Sequence, residues 1–186
     1  MRLPVSIYAG YLVLAIFTAT VQAQHAIILV RHADKETDQT IVKDLPDQQI
    51  PLSDVGKARA KTLAGLLKDS GVGAIYTSDA LRTQQTAMPL AETLGIPSKE
   101  LDMTSKAFAH LKEHLRERHQ KQVILIVGHS NTVPQMIHQL LNPSGEINIE
   151  IADHQFDLMF ILVPKPDGSW GLIRSRYGAQ TSSSGK

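Results

Sequence analysis

Arg31 and His32 stand side by side directly after the apolar run of residues 26–30. An imidazole at the mouth of a buried strand can attack phosphorus if one ring nitrogen is unprotonated and a backbone carbonyl holds the other as a donor. Three later segments carry compatible groups: Leu52-Ser53-x-x-Gly56, Ser78-x-x-Leu81-Arg82-Thr83-x-x-Thr86 and Gly128-His129-Ser130. A phosphoryl group leaving its ester spreads negative charge over its equatorial oxygens, so a site for that reaction needs fixed positive charge and donors. Arg31, Arg82 and His129 can supply them, and arginine forks onto two oxygens while staying charged at physiological pH. An arginine in the first turn of a helix also needs an anionic partner, which a bound phosphate provides. The expected chemistry is attack by His32, a phosphohistidine intermediate, and its hydrolysis by water.

The elements that must position these groups are legible in the pattern. Residues 26–30 and 123–127 are continuous apolar runs, as in strands buried on both faces of a parallel sheet, and residues 74–76 read as a third strand. Residues 33–51 are polar, with Pro46 and Pro51, and read as a loop. Ser53 is a candidate N-cap for a helix carrying Val55, Ala58, Leu63, Leu66 and Leu67, ended by Gly71. Ser78 or Asp79 is expected to cap the next helix, which Gly95 and Pro97 stop and which Pro89 kinks or breaks. An amphipathic helix is expected over 105–119 and a helix over 131–141. Late strands at 156–163 and 170–174 are joined by a turn at Pro166-Asp167-Gly168.

This alternation predicts a three-layer α/β/α sandwich with a mostly parallel central sheet, whose ligand lies beyond the carboxyl ends of the strands. The rule gathers Arg31-His32, Thr77-Ser78 and Gly128-His129 on one rim.

Composition bounds the rest. Residues 1–23 have the form of a secretory signal: Arg2, an apolar centre, and Val21-Gln22-Ala23 at the cleavage site. Its apolar stretch falls short of the roughly 20 residues a spanning helix needs. Cleavage, export to the periplasm or medium, and no stable membrane insertion are expected. About 160 residues then remain, enough for one domain, taken as 24–179, with 180–186 a polar, disordered tail. Lys and Arg number 19 against 18 Asp and Glu, which disfavours nucleic acid as a partner. The chain has no cysteine, so disulfides, thiolate metal sites and cysteine nucleophiles are excluded. His110 and His114 are four apart, but Lys112, Arg116, Arg118 and Lys121 make their surroundings a basic helix face rather than a zinc site. Neither a metal nor another cofactor is expected.

The four motifs, in this order, resemble those of the histidine phosphatase superfamily, the phosphoglycerate-mutase-like proteins, over about residues 27–163. The resemblance implies the same fold and places the family's arginine-histidine pair on Arg31 and His32, its second arginine on Arg82 and its second histidine on His129. Ala33, followed by Asp34 and Lys35, is similar to a branch that opens Arg-His-Ala, and Gly128-His129-Ser130-Asn131-Thr132 and residues 153–158 match it as well. For the general acid the resemblance points to Glu100 or Asp102, after the helix of the second arginine, and proximity to the nucleophile adds Asp34.

The implied activity is metal-independent hydrolysis of a phosphomonoester. Short lid segments predict an open pocket for a phosphorylated small molecule, or for a phosphate on an envelope sugar or peptide. Two alternatives are a phosphate-binding module with little turnover and a protein phosphohistidine phosphatase.

Overall fold

The computed structural model describes residues 26–119, 122–141, 147–167 and 169–181; the expected leader, most of the tail and Gly168 of the expected turn lie outside them. Strand β1 (Ile27–Arg31) is followed by a short helix α1 (Gln39–Val42), a 3-10 turn at Asp47–Gln49, and helix α2 (Asp54–Leu67). Then come β2 (Val72–Thr77), α3 (Leu81–Leu94), β3 (Ser98–Glu100), α4 (Ser105–Phe108) and α5 (Leu111–Arg118). The chain continues through β4 (Val123–Gly128), α6 (Thr132–Leu141), β5 (Leu158–Pro164) and β6 (Trp170–Arg176).

The strands form one six-stranded sheet in the order β3-β2-β4-β1-β5-β6. The pairs among β1 to β4 are parallel, while β5 runs antiparallel to both β1 and β6. Central position explains the apolar runs: every residue of β1 is buried. Alternate side chains serve opposite layers. Ile27, Leu29, Ile124 and Ile126 join the cluster under α4, α5 and α6, with Phe108, Leu115 and Met136. Ile28, Val30, Leu125 and Val127 join Leu63, Leu67 and Leu90 of α2 and α3 on the other face.

Several expectations were altered by context. Ser53 does cap α2, accepting from the Gly56 amide, but the helix ends at Leu67, and Gly71, at φ 76°, turns the chain into β2. Helix α3 runs unbroken through Pro89 to a left-handed Gly95. Ala87, Leu90, Ala91 and Leu94 stay packed in the core, and that burial outweighs one lost backbone bond. The segment 105–119 is two helices, because at His110 the amide turns to the Ala107 carbonyl and a new helix starts at Leu111. Strand β3 was not anticipated; all three of its residues are exposed at the sheet edge. Among the described residues, no helix is long and apolar enough to cross a membrane.

Candidate active site

Parallel register gathers the rim. Arg31 pairs with Gly128 across β1 and β4, and Thr77 with Val127 across β2 and β4. The chain therefore leaves three adjacent strands at the same level, and the His32 amide donates to the Gly128 carbonyl at 2.8 Å. His32 and His129 face each other edge to face, ring centroids 5.4 Å apart.

The motif residues hold this arrangement by specific contacts. Thr86 Oγ1 accepts from the Ala33 amide at 2.9 Å and donates to the Arg82 carbonyl at 2.7 Å, tying α3 to the residue after the histidine. The carbonyl of Asp34 accepts from both the amide and the hydroxyl of Ser53. A Cβ on Gly56 would overlap that same carbonyl, so the glycine permits the close approach of α2. At Gly128 a Cβ would press on Thr132 Oγ1 at 2.9 Å, and that oxygen accepts from the His129 amide.

His32 Nδ1 lies 2.8 Å from the Ala33 carbonyl, which fixes the tautomer with Nδ1 protonated and Nε2 unprotonated. Burial, with only 4% of the residue exposed, lowers its pKa to about 3; the Ala33 bond opposes this, and Arg31, Arg82 and His129 reinforce it. The imidazole is thus neutral and nucleophilic at physiological pH. His129 is lowered to about 4, first by burial and then by Arg82. Its Nε2 lies 3.0 Å from Ser78 Oγ, which also contacts Thr83 Oγ1 at 2.9 Å. Ser78 does accept from the Ala80 amide, but Ala80 is the N-cap of α3 and the serine also serves His129.

Both arginines are buried and oriented by the chain. Arg31 Nη1 donates to the carbonyls of Ala152, Asp153 and Gln155. Its guanidinium carbon stands 4.1 Å from the centre of the Phe156 ring. Arg82 Nη1 donates to the Asp47 carbonyl at 2.6 Å and its Nη2 to Asp47 Oδ2 at 2.8 Å. The Nε atoms of both arginines are buried without a hydrogen-bond partner among the described residues. With His32, His129, Lys35 and Asp47 they line a cavity of about 410 Å³.

The structure brings Arg31, His32, Arg82 and His129 together at this cavity and places the three acid candidates elsewhere. Asp34 points to α2, where its Oδ2 accepts from Arg59 Nε at 2.7 Å. Glu100 and Asp102 are exposed and line a separate cleft with Tyr76, His110 and His114. Asp102 caps the Thr104 amide. His119, given no role from sequence, is buried and bonds Tyr76 Oη at 2.7 Å. Asp47 is the site residue that sequence reasoning missed, while Ser78 was placed on the rim and Lys35 in the opening motif without a role in the site. For Ser78, its place in the motif was the available signal; Asp47 sat in a loop with none.

A model of the histidine phosphatase superfamily (branch 1) matches residues 27–106, which include His32 and Arg82. No curated protein matches the chain in sequence. Among solved structures, the protein histidine phosphatase SixA complexed with tungstate superposes with a TM-score of 0.62 at 17% identity, covering 81% of this chain and 96% of that one. A mycobacterial glucosyl-3-phosphoglycerate phosphatase superposes with a TM-score of 0.58 at 13% identity, covering 84% of this chain and all of its own, 100%. Both are likenesses of fold.

Proposed function

We propose that the chain, whose residues 27–106 match the histidine phosphatase superfamily, hydrolyses a phosphomonoester without a metal, through a phosphohistidine on His32. The observation that carries this reading is the pair of buried guanidinium groups with unsatisfied Nε donors beside a neutral imidazole. A phosphoryl group between them would satisfy those donors and gain fixed positive charge, the role a divalent ion plays elsewhere.

The mechanism follows from the bonds already in place. His32 Nε2 attacks phosphorus while the Ala33 carbonyl holds the Nδ1 proton and stabilises the positive ring that forms. Ser78, if it donates to His129 Nε2, leaves Nδ1–H of that ring as a donor to an equatorial oxygen. Water then attacks the phosphohistidine from the cavity mouth. We further propose that the protein works outside the cytoplasm on a phosphorylated small molecule, or on a phosphate borne by an envelope sugar or peptide. The signal-like residues 1–23 support the address, and the short segments around the cavity support an open site.

The test is hydrolysis of para-nitrophenyl phosphate with a chelator present, for the chain from Gln24 and for His32→Ala. Rapid denaturation in alkali, where phosphohistidine survives, would trap the intermediate. Chelator-resistant turnover, abolished in the variant, with acid-labile label on His32, is the expected result. Turnover retained by His32→Ala would overturn the mechanism.

A further inference from the structure

We propose that Asp47 is the proton donor to the leaving alcohol, and that the substrates are accordingly alkyl phosphomonoesters, whose alkoxide cannot leave unprotonated. The inference rests on the histidine phosphatase mechanism proposed above.

Three carboxyl-bearing residues line the cavity: Asp47, Asp79 and Asp153. The Asp153 carbonyl is engaged by Arg31, and the Asp79 carbonyl by Gln84. Among the described residues, Asp47 is the one of the three whose carboxylate forms an ion pair with a site arginine, Arg82 at 2.8 Å, whereas the charges of Asp79 and Asp153 act on His129 and Arg31 without such a pair. Position agrees with the role. Of the residues lining the cavity, His32 is buried, whereas Gln48 is exposed and the Asp47 side chain is 60% exposed. In-line displacement expels the ester oxygen on the side away from the nucleophile, which suits an acid on the solvent side of the cavity.

The anchoring of Asp47 suits a group that must change partners. Its backbone carbonyl, not only its carboxylate, receives Arg82, so the loop stays docked when the carboxylate lets go. Before substrate binds, partial burial would raise the Asp47 pKa. The Arg82 hydrogen bond, with the charges of Arg82, Lys35 and His129, outweighs this and holds it low. A phosphate dianion changes the balance: it draws on the charges of Arg31, Arg82 and Lys35 and sets negative charge beside the carboxylate, alongside that of Asp79 and Asp153. Each change favours the protonated acid.

The step balances. The His32 Nε2–P bond forms as the P–O ester bond breaks, and the electron pair goes to the ester oxygen, which takes the Asp47 proton and departs as alcohol. In the second step Asp47 carboxylate accepts a proton from the attacking water. The new P–O bond forms, the P–N bond breaks, and its electron pair returns to His32.

The test compares the wild-type protein with Asp47→Asn and Asp47→Glu on para-nitrophenyl phosphate, whose phenolate leaves without a proton, and on glycerol 3-phosphate. Asparagine retains a carbonyl oxygen for Arg82 but cannot give up an acid proton. The expected result is a rise of about 10²-fold or more in the ratio of aryl to alkyl kcat/KM for Asp47→Asn. Asp47→Glu should recover part of the loss, and the wild type should show an alkaline limb for the alkyl substrate alone. Equal losses on both substrates would make Asp47 a positioning residue for Arg82 and overturn the proposal, as would no loss on either. Wild-type turnover of the aryl ester with none of the alkyl ester overturns the substrate class. Turnover of neither by folded protein overturns instead the phosphatase mechanism on which the proposal rests.

Discussion

The Nδ1 atom of His32 is held by the carbonyl of Ala33, the next residue in the chain, at 2.8 Å. The ring therefore needs no carboxylate from another element to set its tautomer, but its orientation is only as good as the placement of residues 33 and 34. That placement is fixed by Thr86 through the Ala33 amide and by Ser53 and Gly56 through the Asp34 carbonyl.

Stability should fall in acid because His32 and His129 are buried neutral, with values of about 3 and about 4. An unfolded imidazole protonates near pH 6.5, so below that pH the unfolded chain binds more protons than the folded one. Stability should decline as pH drops through this window, each histidine contributing at most about 1.4 kcal/mol per pH unit, and the His32 share should end near its folded value. Denaturant titrations from pH 7 to 4 should show a shallower decline for His32→Asn than for wild type.

Replacing Gly56 by alanine pits propensity against sterics. Alanine favours the helix by about 1 kcal/mol, but the atom it meets is the backbone of Asp34, which cannot rotate away. Overpacking of this kind costs about 1–3 kcal/mol or more. Urea unfolding should show net destabilisation, and kcat should fall because the displaced segment carries the Ala33 carbonyl.

For Asp34 the expectation is structural. Removing it leaves the Arg59 guanidinium, its side chain 3% exposed, with the Tyr177 and Ala179 carbonyls as its hydrogen-bond partners among the described residues. Asp34→Ala should lose about 3 kcal/mol of stability. Its ratio of aryl to alkyl rates should stay at the wild-type value, and a large change in that ratio would return Asp34 to the role of acid.

Arg82→Lys tests the fork. A single ammonium cannot reach both oxygens of Asp47 and still present donors to the phosphoryl group. A loss of about 10²-fold or more in kcat/KM for para-nitrophenyl phosphate is expected, with thermal unfolding close to wild type.

The central strands were legible because burial on both faces leaves apolar runs, as at residues 123–127, and their parallel order follows from the alternating helices. Strand β3 could not be read, since its Ser98, Lys99 and Glu100 are exposed and pair only at the edge. The four residues at the cavity were readable because each sits in a short motif at a strand end or at the start of a helix. Asp47 was not, because its contact with Arg82 spans a loop and leaves no periodic trace. Ser78 or Asp79 is expected from residue type to cap α3; the Ser78 hydroxyl accepts from the Ala80 amide, and tertiary context also brings it to His129.

Arg31 is held by carbonyls more than a hundred positions later in the chain, with |i−j| of 121 to 124. Contacts so distant in sequence carry the entropy of closing a long loop and tend to form late. During synthesis His32, both arginines and His129 all emerge before residues 152–156, so a partly made chain holds these groups without the carbonyls that orient Arg31. Catalytic competence should therefore arise at the end of folding, when β5 docks beside β1.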